Sequence, residues 1–318
     1  MNQDIFVIIE HLQGHVTDIS YIMMAAARQL AHGIGGNVVA VLLGNEAQGL
    51  AHNFAVDQVL YINHPVLANF TSDAYTKILN GVISDKQPHV VLFGSTSIGA
   101  DLASVLSAQL GLPMVSSCHH ISSDGKFVSQ ICGGKIMSES ILPEQTTLVS
   151  MIPGGYKPEA GQTEISPKIS SITATGLEGL RITLSKYIEP ETGDVDISKE
   201  SILVAVGRGI QNKDNIELAE ELAQALGGVV CGSRPVVDQG WLATTRLVGK
   251  SGQTVKPKVY LALGISGAPE HVEGITGSDV IIAINTDPAA PIFGLAKYGI
   301  EADMFDLLPV LTEQVQLA

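Results

Sequence analysis

The chain has 318 residues, 45% of them hydrophobic and 16% charged, which argues against disorder and suits about two globular domains. Its 32 acidic residues against 18 basic ones give a net charge of −14, which argues against nucleic acid as a partner, because phosphate binding needs a basic face. Three cysteines (Cys118, Cys132 and Cys231), odd in number and far apart, argue against a disulfide framework, and no apolar run nears the ~20 residues of a membrane helix.

The first residues enter an apolar segment with no basic leader, so the expected compartment is reducing and cytoplasmic. Thirty-three glycines with only 5% aromatics suit an α/β fold built on tight strand-to-helix turns. A buried strand is expected over residues 4–10. A helix opens at Thr17, runs through Tyr21, Met24 and Leu30, and closes at His32 and Gly33. A strand over 37–44, a short helix, a strand over 59–62, a helix over 72–84, a strand over 89–94 and a helix over 98–110 follow. Continuous apolar strands alternating with helices predict a parallel sheet covered on both faces. After Pro113 the rhythm changes. Short segments over 126–132, 135–141 and 146–152, separated by Ser-Asp-Gly and Gly-Gly turns, predict an antiparallel extension. Residues 157–175 are polar, and 181–188 predicts one more strand.

The polar, turn-rich stretch 189–196 predicts a domain boundary, dividing the chain into 1–190 and 191–318. Beyond it come a strand over 201–206, a helix over 215–226 with Leu218, Leu222 and Leu226 on one face, and strands beginning at Val229 and over 259–263 and 280–284. This second half predicts a Rossmann-like parallel sheet.

In an open parallel sheet, ligands bind outside the carboxyl ends of the strands. In the second half those ends carry Gly207-Arg208-Gly209, Cys231-Gly232-Ser233-Arg234-Pro235, Gly264-Ile265-Ser266-Gly267 and Asn285-Thr286-Asp287-Pro288. Glycines let a ligand approach the backbone, and arginines offer fixed cationic forks for phosphate or another delocalised anion. A helix after Gly267 would add free amides and its dipole. The profile is that of a nucleotide or dinucleotide site. Neither a G-x-x-x-x-G-K-[ST] loop nor a G-x-G-x-x-G fingerprint is present, so an ATP or ordinary NAD reading gains no motif support.

Each of these residues has a structural reading as well. Arg208 suits a surface cation, Ser233 a helix cap, Arg234 half of a salt bridge, Asn285 a turn, 247–254 a hairpin turn, and His271 an ordinary histidine. Read alone, they define an anion-binding α/β domain. In the first half, His119 and His120 beside Cys118 do not make a metal site, because neighbours on a strand face opposite ways. Ser95-Thr-Ser-Ile-Gly99 suits either a helix cap or a phosphate loop. Spacing supports no Ser-His-Asp or Cys-His nucleophile.

Six segments occur in order: Gly207-Arg-Gly, Gly232-Ser-Arg234, Val248-Gly-Lys-Ser-Gly252, Gly264-Ile-Ser-Gly-Ala-Pro-Glu-His271, Ala283-Ile-Asn-Thr-Asp-Pro-Ala-Ala-Pro-Ile-Phe293 and Tyr298-Gly-Ile-Glu-Ala-Asp303. Together they closely resemble the α subunit of electron-transfer flavoprotein. Ser97-Ile-Gly-Ala-Asp-Leu-Ala103, Gly111-Leu-Pro113 and the stretch from Gly133-Gly134 to Pro153-Gly154 resemble the same subunit's N-terminal domain.

The resemblance implies FAD in the C-terminal half, a β subunit as heterodimer partner, and an electron carrier rather than an enzyme. Donors would be dehydrogenases of acyl-CoA type, as in fatty-acid β-oxidation, and the acceptor a quinone reductase or another protein. An electron-bifurcating complex is the neighbouring alternative, an NAD- or ATP-binding enzyme or sensor using the same crevice is the rival from another class, and a linker near residue 190 would let the flavin domain swing. By that resemblance Arg208, Ser233, Ser266, Asn285 and Asp303 fall where the FAD's phosphates, ribose and adenine side are held. Arg234 falls over the isoalloxazine, Ser251 beside N5, and His271 against the pyrimidine carbonyl. Val248, Gly249, Lys250, Gly267, Ala268, Pro269, Glu270 and Met304 complete the implied set. Positions 250, 251 and 253 depart from the family's usual Gln, Thr and Lys, carrying Lys250, Ser251 and Gln253; Ser251 keeps a hydroxyl, and Lys250 adds a cation.

Overall fold

The computed structural model describes residues 2–131, 136–187 and 195–317. The chain divides into two compact units, Met1–Tyr187 and Ile188–Ala318. Residues 189–194 of the expected linker, and Cys132 to Lys135 with the Gly133-Gly134 pair, lie outside the described residues.

In the first unit, β1 (Ile5–Ile8) is buried at every position because it runs through the middle of a sheet covered on both faces. A small hairpin, β2 (His11–Leu12) with β3 (His15–Val16), leads into α1 (Asp18–Ile34), which ends on Gly35 in the left-handed conformation. There follow β4 (Val38–Gly44), β5 (Gln58–Asn63), α2 (Ser72–Lys86), β6 (Val90–Gly94), α3 (Ser97–Leu110), β7 (Met114–Ile121), β8 (Lys126–Ile131), β9 (Ile136–Ile141), β10 (Thr147–Met151) and β11 (Lys168–Ile172). They form one nine-stranded sheet of order β11-β5-β4-β1-β6-β10-β7-β8-β9. Alternate residues of β1 enter opposite cores: Ile5 and Val7 face one, Phe6 and Ile8 the other.

Two expectations are corrected here. β10 is not part of an antiparallel extension; it lies parallel between β6 and β7, because its five fully buried residues need a place with both faces covered. Residues 181–187 form no strand and are exposed, and Ile188 lies outside the described residues. The additional strand is instead β11, which pairs parallel with β5 at the sheet edge. Within the nine-stranded sheet, among the described residues, only β7–β8 and β8–β9 pair antiparallel.

The second unit runs β12 (Ile202–Val206), α4 (Ile216–Leu226), β13 (Val229–Gly232), α5 (Arg234–Asp238), β14 (Val259–Leu263), α6 (Pro269–Val272), β15 (Val280–Asn285), β16 (Tyr298–Glu301) and α7 (Met304–Gln316). All five strands are parallel, in the order β13-β12-β14-β15-β16. Leu203 and Ala205 point into one core, Val204 and Val206 into the other, so the sheet is covered on both faces. Leu222 of α4 is buried against the second of these cores, with Leu218 and Leu226 packed at its margin. The strand order reverses between β12 and β14, and the carboxyl ends flanking such a switch point are where ligands bind in open parallel sheets.

Candidate functional site at the carboxyl rim of the second sheet

The tips of β12 and β14 are stitched together by backbone. Gly207 N–H donates to the Leu263 carbonyl at 2.8 Å, and Gly209 N–H to the Gly264 carbonyl at 3.3 Å. Gly264 has φ +61°, and a Cβ there would fall 2.4 Å from Cε of Met304. The rim is therefore bare backbone, with Arg208 projecting from it, exposed. Met304 itself is buried beneath the rim, at 6% exposure, in the core with Leu308 and Ile210. Its Cε backs the glycines of the rim, Gly209 and Gly264.

From β13 come Ser233 and Arg234. Ser233 is buried and stands at the N-cap of α5, yet its side chain makes no capping bond; its backbone N–H donates to the Val206 carbonyl at 3.0 Å. Arg234 Nε lies 3.3 Å from an oxygen of Asp238, one turn on, with both side chains more than half exposed. Such a pair is worth little and leaves the guanidinium available to a stronger anion.

The segment 247–254 is a laced loop. Val248 N–H donates to Gly232, Gly249 N–H to Gln253 and Lys250 N–H to Glu270, at 3.0, 3.1 and 2.7 Å. Gly249 has φ +132°, and a Cβ there would sit 2.8 Å from the Glu270 carbonyl oxygen, so only glycine fits where loop and α6 touch. Val248 is core, Ser251 is exposed, and Lys250 Nζ lies 3.6 Å from Glu273. Arg246, which the sequence reading did not single out, donates from Nη1 to the Val230 carbonyl at 2.9 Å.

After β14, Ser266, Ala268, Pro269 and Glu270 are exposed, and Gly267 is buried. The helix expected to aim a dipole at an anion is α6, and it has four residues. One turn carries little macrodipole, so the amides and side chains of this segment, rather than a helix field, are what it offers a ligand. His271 is buried, at 7% exposure. Its Nε2 lies 2.9 Å from Oη of Tyr260, and its Nδ1 completes no hydrogen bond. Burial pushes its pKa down to about 4, the Val248 backbone opposing the shift only in part, so the ring is neutral at pH 7.

At β15, Asn285 uses both ends of its amide: Nδ2 donates to the Ile265 carbonyl at 2.9 Å, and Oδ1 accepts from Asp287 N–H at 3.0 Å. It shapes its turn and ties it to the β14 tip. Asp303 caps α7, accepting from Phe305 N–H at 2.9 Å. In the first unit Cys118 is a buried free thiol that donates to the His120 carbonyl. Among the described residues no group of three metal-ligating side chains forms there or elsewhere, and no helix is long and apolar enough to cross a membrane.

The rim thus brings Arg208, Arg234 and Lys250, three exposed cations, to a parallel sheet of a chain carrying net charge −14. Beside them lie hydroxyls, bare backbone at the switch point and one buried imidazole with hydrogen-bonding capacity left over. A dinucleotide, with anionic phosphates and a polar ring, matches that donor set. Fold and rim define a two-unit α/β protein with a dinucleotide-type crevice in its second unit.

Residues 5–177 match the family described as electron transfer flavoprotein domain, and residues 196–276 the electron transfer flavoprotein FAD-binding domain. The electron transfer flavoprotein subunit alpha of Thermoanaerobacterium thermosaccharolyticum is 33% identical over 323 residues, covering 99% of this chain and 98% of that one. Protein FixB of Clostridium saccharobutylicum is 34% identical, covering 98% and 96%. The acryloyl-CoA reductase electron transfer subunit beta of Anaerotignum propionicum is 34% identical, covering 99% and 96%. The chain belongs to the electron transfer flavoprotein family, as an α-type, FixB-like electron transfer subunit. Its cofactor is FAD, and it carries electrons rather than transforming a substrate.

Proposed function

We propose that this chain is the FAD-holding subunit of a heterodimer with an electron-transfer-flavoprotein β subunit. It takes electrons from dehydrogenases, of acyl-CoA type, and passes them to a quinone reductase or another acceptor. What carries the reading is the order of polar residues along the rim of the unit that matches the FAD-binding family: Arg208, Ser233 and Arg234, Lys250 and Ser251, Ser266, His271, Asn285 and Asp303. The relative from Anaerotignum propionicum, whose name joins it to an acryloyl-CoA reductase, supports acyl-CoA-type enzymes as redox partners, there on the electron-accepting side.

When bound, the flavin supplies a ring that accepts and releases electrons one or two at a time. Arg208, Ser266 and the bare backbone of 207–209 hold the anionic phosphates; Asn285 and Asp303 fix the turns around the adenine side. Arg234, free to turn from Asp238, would bring a cation to the ring, where positive charge would make the charge added on reduction cheaper to hold. Ser251 would offer a hydroxyl to the ring's N5, and neutral His271 would offer its imidazole to the pyrimidine carbonyl. Lys250 brings a second cation to the same side, raising the potential further.

The test is co-expression with the β subunit. The purified pair is expected to be yellow, to bleach on reduction and to release one FAD per heterodimer on denaturation. A colourless pair, or one releasing NAD or ATP instead, overturns the reading. Two flavins per pair would move the assignment to an electron-bifurcating complex.

A further inference from the structure

We propose that Tyr260 is a positioning residue of the flavin site: its hydroxyl donates to Nε2 of His271 and so places the imidazole's single proton on Nδ1. The inference rests on the reading of His271 as the residue that meets the cofactor's pyrimidine carbonyl.

Tyr260 is the largest fully buried side chain of the protein's described core and carries a hydroxyl into an apolar strand. The strand direction makes it point to the same face as Ala262, into the core that also holds Cys231. A buried hydroxyl needs a partner, and the partner lies 2.9 Å away at Nε2 of His271, eleven residues on and within the single turn of α6. The two rings are tilted at 54°, an arrangement fixed by that bond rather than by stacking.

A neutral imidazole has one N–H and one bare nitrogen, and the bond to Tyr260 decides which is which. Burial keeps all three groups of the cluster neutral. It lowers the pKa of His271 to about 4, raises that of Tyr260 well above the ordinary phenol value, and raises that of Cys231 to about 12. Two proton arrangements remain. If Nε2 carries the proton and donates to Tyr260, the phenol's own O–H has only the Cys231 thiol to turn to, a weak acceptor, and Nδ1 is left as a buried bare lone pair. If Tyr260 donates to Nε2, a strong donor meets the best acceptor in the cluster, and the thiol in turn donates to the phenol oxygen. Nδ1 then carries the proton.

The consequence for the site is directional. With the proton on Nδ1, the ring edge not taken by Tyr260 is a donor, and a carbonyl oxygen can only accept. In the other tautomer the same edge is a lone pair that repels that oxygen. Tyr260 thereby sets the sign of the interaction from a position that never touches the cofactor.

The test uses the α–β heterodimer with ¹⁵N-labelled histidine, the His271 signals being assigned by their loss in His271→Gln. In the wild type Nε2 is expected in the unprotonated range and Nδ1 in the protonated range; in Tyr260→Phe, which keeps the ring and its packing, protonation shifts toward Nε2. A wild type with Nε2 protonated, or a Tyr260→Phe spectrum identical to it, overturns the proposal. The second measurement is FAD affinity in a double-mutant cycle. Tyr260→Phe is expected to raise the dissociation constant about fivefold, the size of one net hydrogen bond, and to have no further effect in the His271→Gln background. A purely structural tyrosine would weaken binding equally in both backgrounds, and additive losses overturn the positioning role alone. If His271→Gln by itself leaves FAD affinity unchanged, the underlying reading of His271 fails instead.

Discussion

At the scale of single residues, the rim separates groups already committed to the fold from groups left available. Asn285 and Asp303 spend their side-chain acceptors on turns and caps, whereas Arg234 is held only by one exposed pair with Asp238. The guanidinium can therefore reorient toward an anion at little cost, because surface ion pairs contribute about 0–1 kcal/mol. Removing it takes away one charge-assisted interaction with the reduced ring, of about 1.5–3 kcal/mol. For a two-electron couple that is a fall of about 30–60 mV, at 30 mV per 1.4 kcal/mol. Arg234→Ala in the heterodimer is expected to show it in a dye-coupled redox titration; an unchanged midpoint would remove Arg234 from the flavin's surroundings. The cations and hydroxyls of this rim were legible in the sequence because strand tips rich in glycine name themselves. Tyr260 was not. It sits in mid-strand among leucines and alanines, and nothing in its spacing reveals that its hydroxyl meets a histidine eleven positions later. A polar-tipped residue in an otherwise apolar buried strand is the one signal that could have found it, since its hydroxyl must be satisfied.

At the scale of elements, apolar continuity announces strands but not their neighbours. The β12, β14 and β15 segments matched their expected bounds closely because each is a short apolar run closed by a glycine or asparagine. β10 has the same apolar look, yet it crosses back to lie between β6 and β7, and no local pattern encodes a return of that length. β11, Lys-Ile-Ser-Ser-Ile, was hidden by its polarity, which is what an edge strand with exposed positions tolerates. The first unit also has a switch point, beside β1, and here the chain fills it with its own side chain. Glu10 is 4% exposed; its Oε2 accepts from the Thr96 hydroxyl at 2.8 Å, while Oε1 completes no hydrogen bond and lies 3.0 Å from where a Cβ on Gly99 would stand. Burial raises its pKa from 4.5 to about 7, the Thr96 and Gly94 hydrogen bonds opposing the shift. The folded state thus keeps a proton that the unfolded chain releases between pH 4.5 and 7. Stability contributed by this group is present below that window and falls as pH rises through it, by up to about 3 kcal/mol. Glu10→Gln keeps the Thr96 acceptor without the charge. It is expected to raise the unfolding midpoint at pH 8 and leave it nearly unchanged at pH 4.5; equal shifts at both values would show that the carboxyl is not the cause.

At the scale of the whole molecule, the two units own separate cores. The clusters around β1 draw only on residues before 181, and those around β12 only on residues after 196. The proposed FAD contacts all lie in the second. A ligand that binds the folded state and not the unfolded one adds stability to the unit whose folding it requires, by RT ln(1 + [L]/Kd), about 2.7 kcal/mol at a hundredfold excess over Kd. Hydrogen exchange of the heterodimer, compared with and without FAD at that excess, resolves where the stability goes. Amides of β12, β14 and β15, which exchange through opening of the second unit, are expected to slow about a hundredfold. Those of β1, β4 and β6 are expected to exchange at their former rates, because every residue proposed to hold the cofactor lies in the second unit. Equal slowing in both units would mean that the two open as one, and slowing confined to the first would place the cofactor on the wrong sheet. The outcome also bears on Glu10: its buried carboxyl already occupies the first unit's switch point, bonded to Thr96, so that unit's exchange rates are expected to ignore added nucleotide.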